Sequence, residues 1–356
     1  EEFWTSYTPY QPELSQGTLQ TMFEFQTYLA RLTKMEVIIP SLYDGASATA
    51  EAALMSLRLT HRNKIIISAS LHPHYRETVK TYVAPHGTKI VELPYKNALL
   101  DIEKLKELVD DDVACVIVQS PNFFGGIENL AKISEVVHSQ NALLINTIAE
   151  SMSLGILKAP GEVGVDIVAG EAQSFGMELN YGGPYNGYLA TKIQFLRQLP
   201  GRIAGETVDV DGKRAFVMTQ RAREQDIRRE KATSNICSNH GLNILASNIY
   251  LSLMGTEGLY KVSLLNTKAA HYLENLLLKS GKFEKVFEYP FYNEFLLKSK
   301  NNVATVSEKL LENDFIPPLE ISKFYNEEEF KKVLLFAVTE VLSREDLNRV
   351  GGVLSE

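Results

Sequence analysis

Residues 166–191 read DIVAGEAQSFGMELNYGGPYNGYLAT. Ile167, Val168 and Ala169 make a short apolar run of the kind that fills a buried strand. A polar loop follows, then the glycine pair Gly182 and Gly183, then a second strand from Tyr188 to Thr191. In a large α/β domain, the loop beyond such a strand end is where ligands usually sit. Gln173 and Ser174 occupy that loop, and no lysine lies between Lys158 and Lys192. The loop offers an amide and a hydroxyl but no primary amine.

Upstream of this stretch, strand and helix patterns alternate. Strands are expected over 64–68, 89–93, 113–118, 142–145 and 166–169. Helices are expected over 16–33, 50–60, 73–83, 102–109 and 128–138. Short β-branched runs separated by helices predict a mostly parallel sheet covered on both faces. The 16–33 helix places Leu19, Met22, Phe23, Leu29 and Ala30 on one face. Asp44-Gly45 signals a turn, with Ser47 or Thr49 as the expected cap of the next helix. Downstream, Asp211-Gly212 between two alternating segments predicts a hairpin. Residues 242–253 and 259–278 read as two helices, and FEKVFEYPFYNEFLLKS as two strands. A helix near 306–311, a strand over 333–338 and a helix over 344–354 complete an α+β pattern. The expected division is an arm over 1–15, a large domain over 16–255 and a small C-terminal domain over 256–356.

Composition limits the functional classes. The chain has 356 residues, 45% of them apolar and 22% charged, which fits a globular protein with more than one core. Its net charge of −8 argues against nucleic acid as the main partner. The apolar part of the longest charge-free stretch, 242–254, is shorter than the ~20 residues a bilayer span requires, so a membrane role is not expected. Cys115 and Cys237 make neither a disulfide framework nor a metal cluster, and the expected compartment is a reducing cytoplasm. The opening residues are rich in aromatics and proline (Trp4, Tyr7, Pro9, Tyr10, Pro12), which suits an arm lying over a surface.

Several positions could carry chemistry. YDGASATAEA could cradle a phosphate on Gly45, Ala46 and Ser47 at a helix N-terminus, or be an ordinary capped helix. His72 follows a strand end and could stack on a flat ligand. His72, His74 and Glu77 lack the further ligands a tetrahedral metal site needs. Asn122 in SPNFFGG either closes its own turn or touches a ligand. Glu150 could face a cation or a ring nitrogen. The mixed charges of RAREQDIRREK fit a solvated face or a partner surface.

Taken together, YTPYQPELSQGTLQTMFEFQ, YDGASATAEAALM, PNFFGGIE, SLGILKAPGEVGVDIVAGEAQSFG, NYGGPYNGYLAT, LPGRIAGETVDVDGKRAFV and IRREKATSNIC resemble the P-protein of the glycine cleavage system. That enzyme is glycine dehydrogenase (aminomethyl-transferring), and the resemblance is to the alpha subunit of its two-subunit form. It implies the aminotransferase-like fold of pyridoxal-phosphate enzymes (fold type I), and a further N-terminal region ahead of Glu1. In the family the beta subunit carries the lysine that holds pyridoxal phosphate. On that pattern the lysine position falls at Ser174, preceded by Gln173. The acid facing the pyridine nitrogen falls at Glu150, the stacking position at His72, and the phosphate loop at Gly45, Ala46 and Ser47. With Asn122 these residues describe a vestigial cofactor pocket. A serine hydroxyl cannot form an internal aldimine, so no catalytic residue and no covalent cofactor are expected here. The resemblance implies an α2β2 complex with a beta subunit that binds the cofactor, acting on glycine and on the lipoyl arm of the H-protein. Tyr7, Tyr10 and Gln11 are the expected contacts with the partner's site. A scaffold of the same fold outside that pathway is the competing expectation, and a self-sufficient enzyme using Lys158 or Lys192 a weaker one.

Overall fold

The computed structural model describes residues 14–179, 181–219, 225–236 and 240–355. Tyr7, Tyr10 and Gln11 lie outside the described residues. The first part of the chain runs α1 (Gln16–Thr33), β1 (Val37–Leu42), α2 (Gly45–Thr60), β2 (Lys64–Ser68), α3 (Pro73–Val83) and β3 (Lys89–Leu93). A two-residue ladder, β4 (Tyr95–Lys96) with β5 (Leu99–Leu100), precedes α4 (Ile102–Leu108). Then come β6 (Val113–Gln119), α5 (Leu130–His138), β7 (Leu143–Ile148), β8 (Ile167–Glu171) and β9 (Gly187–Thr191). Seven strands form one sheet in the order β1-β9-β8-β7-β6-β2-β3. β3, β2, β6, β7 and β8 are mutually parallel, and β9 runs antiparallel to both β8 and β1.

Alternating side chains divide this sheet into two dry faces. Val116, Val118, Leu144 and Val168 pack with Leu19, Phe25 and Leu29 of α1 and Ile133 of α5. Cys115, Ile117, Ile145 and Ala169 pack against Ala48, Ala52 and Met55 of α2. Burial on both sides explains why these strands read as unbroken apolar runs.

Two elements depart from the sequence expectation. β1 has no counterpart in it, because Pro40 interrupts EVIIPSL and proline argues against a strand. β1 lies at the sheet edge, with a register irregularity between Ile39 and Leu42, where a missing N–H is tolerated. The helix expected over 50–60 begins at Gly45, and its cap is Asp44 rather than Ser47 or Thr49. Asp44 Oδ1 accepts from Ser47 N at 2.6 Å, and Ser47 Oγ accepts from Asp44 N at 3.1 Å. This reciprocal box outcompetes a later start because it satisfies two N–H groups at once.

The expected hairpin is β10 (Ile203–Val208) with β11 (Arg214–Thr219). Two glutamines of α1 hold it as substitute strand partners. Gln16 bonds both the C=O and the N–H of Phe216, and Gln26 does the same for Ala204, at 2.8–3.0 Å. Among the described residues of the charged run that follows, a four-residue helix, α6 (Gln225–Arg228), leads into a 3-10 turn at Arg229–Lys231. The two helices expected next are present within α7 (Gly241–Lys279), where they meet at a kink at Gly255. Gly255 sits at φ 58°, ψ −175°, a region essentially reserved for glycine.

The remainder is β12 (Phe283–Lys285), β13 (Glu294–Ser299), α8 (Val303–Leu311), β14 (Leu319–Glu320), β15 (Val333–Ala337) and α9 (Arg344–Ser355). Its antiparallel sheet has the order β12-β13-β15-β14. Phe295, Leu297, Leu334 and Phe336 from the strands meet Leu277, Val306 and Leu347 from the helices. A second cluster joins Phe123 and Phe124 to Leu296, Tyr325 and Phe330, fastening the loop after β6 to the C-terminal sheet. Dividing the chain into 16–255 and 256–356 remains our proposal. No described helix is long and apolar enough to cross a membrane.

Candidate functional site

The C-terminal end of β8 and the N-terminus of α2 meet at one residue that the sequence reading did not single out. Glu171 ends the buried run of β8 and turns its carboxylate onto three backbone N–H groups. Oε2 accepts from Gly45 N at 3.0 Å, and Oε1 accepts from Gln173 N at 3.0 Å and Asn186 N at 2.9 Å. Burial pushes this carboxyl up to about 7 despite those donors. Asp44 engages Ser47 N from the other side. Of the cradle residues Gly45, Ala46 and Ser47, the first and third therefore have their N–H groups taken by carboxylates of the chain itself. A helix N-terminus favours an anion, and here two carboxyl groups of the chain itself occupy that end. Tyr75 closes the space further: a Cβ on Gly45 would lie 2.5 Å from its hydroxyl. Burial holds the Tyr75 phenol far above its ordinary value.

Gln173 is bound into the same loop, its amide donating to Met177 O and Glu178 O at 3.0 Å. Glu150 turns back to accept from Met152 N at 2.8 Å. Burial raises its carboxyl above the usual range, and the Met152 N–H and the Ser174 hydroxyl oppose that shift. Ser151, between these loops, donates to Glu171 O at 2.5 Å and lies 3.0 Å from the Tyr188 hydroxyl. Gly45, Ser47 and Gln173 are thus linked through Glu171 and Asp44, while the buried Ser174 hydroxyl has no hydrogen-bond partner.

His72 caps α3 with Nδ1 toward His74 N at 3.2 Å, and its ring packs on Phe123 at 4.8 Å and Tyr75 at 5.3 Å. Burial, with His74 and Arg76 nearby, lowers it to about 4, so the ring is neutral at pH 7. It can wall a flat group but not supply a charge. Asn122 is fully engaged: Nδ2 donates to Ala98 O and Glu128 Oε1, and Oδ1 accepts from Phe124 N and Gly126 N. It fixes its own turn and has no hydrogen-bonding capacity left for a ligand. Among the described residues, only the exposed Asp110, Asp111 and Asp112 are grouped closely enough to hold a metal, well away from His72.

The residues present do not fit pyridoxal phosphate. No amine stands at Ser174, and the anion-binding end of α2 is held by Glu171 and Asp44. Glu171 escaped the sequence reading because Gln173 and Ser174 drew attention two residues later. The available signal was an acid at the end of an otherwise apolar strand, VDIVAGE.

On the outer side of α2, Glu51 is only 2% exposed. Ser234 Oγ donates to its Oε1 at 2.6 Å, while Oε2 has no partner. Burial raises this carboxyl from 4.5 to about 7, against the Ser234 bond and Arg58. A folded-state value above the unfolded one means the native chain holds the proton more tightly. Its contribution is full at low pH and is lost as pH rises through about 7. Glu51→Gln should therefore raise the urea midpoint at pH 8, by the equivalent of roughly 1–3 kcal/mol, and change it little at pH 5. Equal effects at both pH values would show that Glu51 does not titrate this way.

Comparison with known proteins agrees with this architecture. The glycine cleavage system P-protein family model matches residues 1–354. The chain is 47% identical over 355 residues to the "probable glycine dehydrogenase (decarboxylating) subunit 1" of Desulfitobacterium hafniense, covering 100% of this chain and 79% of that one. To the protein of the same name from Moorella thermoacetica it is 49% identical over 347 residues, covering 98% and 78%. The crystal structure of an inhibitor-bound glycine decarboxylase (P-protein) superposes with a TM-score of 0.93 at 42% identity, covering 99% of this chain and 79% of that one. A Lactobacillus brevis glutamate decarboxylase superposes at 0.74 with 13% identity, covering 99% and 82%, which shows the shared fold alone, that of fold type I pyridoxal-phosphate enzymes. This chain belongs to the glycine cleavage system P-protein family, as the alpha subunit of its two-subunit form.

Proposed function

We propose that this chain is the cofactor-free half of a heteromeric glycine dehydrogenase (decarboxylating). Its partner, the beta subunit, carries pyridoxal phosphate in an α2β2 assembly. Glycine loses CO₂ there, and the aminomethyl group passes to the lipoyl arm of the H-protein. This chain's share of the work is to hold the partner in shape and to wall the partner's site. One arrangement supports the reading: Glu171 occupies the α2 N-terminus in a loop that has Ser174 instead of a lysine. A chain built this way cannot anchor the coenzyme that supplies the electron sink for decarboxylation.

The purified chain should release no CO₂ from glycine when loaded with pyridoxal phosphate, and adding the beta subunit should restore release. Glycine turnover by the chain alone would overturn the proposal. So would a pyridoxyl-lysine at Lys158 or Lys192 after borohydride reduction and peptide mapping. Failure to co-elute with a beta subunit on size exclusion would favour a scaffold outside the pathway.

A further inference from the structure

A cavity of about 440 Å³ opens on the face of the large sheet opposite α2; none of the vestigial-pocket residues lines it, and Lys158, weighed above as an alternative lysine, stands at its rim. It lies beyond the C-terminal ends of β6 and β7, between the start of α5 and the loop after β7. Its walls are mainly apolar, with Leu130, Ile148, Leu157 and Val163 among them. Six lining residues are polar, Ser120, Glu128, Asn129, Asn146, Ser153 and Lys158, and two of these have no side-chain hydrogen bond among the described residues. The first is Asn146, 1% exposed in the middle of β7, with Val118 and Val168 as its register neighbours. Its Oδ1 has no hydrogen-bond partner. An unsatisfied buried amide is costly, and a core strand does not normally carry one. The cavity is the open space this side chain lines. The second is Lys158, exposed at the rim and without an ion pair among the described residues.

The N-terminus of the nine-residue helix α5 also faces this cavity. Leu130 N donates to Glu128 O and Lys132 N to Asn129 Oδ1. Ala131 N–H has no partner among the described residues. The Glu128 carboxylate, though close, is turned away into its loop, where it accepts from Leu100 N and Asn122 Nδ2. It therefore does not oppose an incoming anion directly.

We infer that this cavity is a binding site for a small aliphatic monocarboxylate. The carboxylate is received by the Asn146 amide, the free N–H of α5 and Lys158, and the tail lies on the apolar walls. The oxygen and nitrogen of an Asn side chain are interchangeable by a flip, so Asn146 can present N–H to a carboxylate oxygen. The volume suits a tail of about five to eight carbons, at the lower end of small-molecule sites. The site is separate from the proposed glycine chemistry and does not depend on it.

The test is isothermal titration of the full chain with hexanoate and, in parallel, with 1-hexanol. Hexanoate should bind saturably and hexanol at least tenfold more weakly. Lys158→Met should weaken hexanoate at least fivefold, and Asn146→Leu, which fills the base of the cavity, should abolish binding. Absence of saturable hexanoate binding, equal binding of hexanol, or unchanged affinity in Lys158→Met would each overturn the assignment. Lys158 is exposed, so its variant decides the matter even where Asn146→Leu fails to fold.

Discussion

Glu171→Ala should destabilise the chain by roughly 3–5 kcal/mol, read as a lower urea midpoint with an unchanged slope. The substitution removes one acceptor group but leaves three backbone donors without a partner: Gly45 N, Gln173 N and Asn186 N. The residue is 9% exposed, so water cannot freely replace the carboxylate. Loss of a helix-end contact adds to the loss of hydrogen bonds. Glu171→Gln is the informative control. Its single oxygen can still serve the Gln173 and Asn186 N–H groups, but its amide nitrogen faces Gly45 N as donor against donor. A cost of about 1–2 kcal/mol is expected. If Glu171→Ala falls within 1 kcal/mol of the parent, the carboxylate does not hold this junction together.

Gly125→Ala should be more severe, above about 4 kcal/mol or beyond soluble expression. Gly125 has φ +84°, which disfavours any side chain, and the space is closed as well. A Cβ would lie 1.9 Å from the carbonyl oxygen of Glu294 and 2.5 Å from its carbon. Both are backbone atoms of β13, so relief requires moving the C-terminal sheet away from the loop after β6. That movement also opens the contacts of Phe123 and Phe124 with Tyr325 and Phe330. Gly87→Ala separates the two components, since Gly87 has φ +63° with nothing within 4 Å. It should cost about 1 kcal/mol by conformation alone. Equal unfolding midpoints for the two variants would mean that the close approach at Glu294 is not real.

The large sheet was legible because its strands are buried on both faces, so their apolar runs survive without any knowledge of the partners. The hairpin at Asp211-Gly212 was legible because turn chemistry is local. β1 was not, since Pro40 speaks against a strand and only the edge position, a property of the whole sheet, excuses it. The cap of α2 was misread because Asp44, Ser47 and Thr49 are all competent caps, and the choice rests on the Asp44–Ser47 reciprocity. The candidate site was legible as a set of loops but not as a network. Asn122 was read as closing its own turn or touching a ligand and Glu150 as able to face one, and the structure has Asn122 closing its turn and Glu150 accepting from Met152 N. Glu171 and Tyr75 link those loops across long sequence separations, which no local pattern records.

The carboxylate at the end of β8 has a kinetic side as well. It is tied by covalent chain to the helix end that it serves, so its local concentration there is in the range that tethered partners reach, millimolar or higher, and cannot be diluted. A free phosphate ester arriving at Gly45 competes against a resident that never diffuses away. On the function proposed above, Ser174→Lys alone would leave the coenzyme facing an occupied anchorage, and autonomy would require changes at both places together.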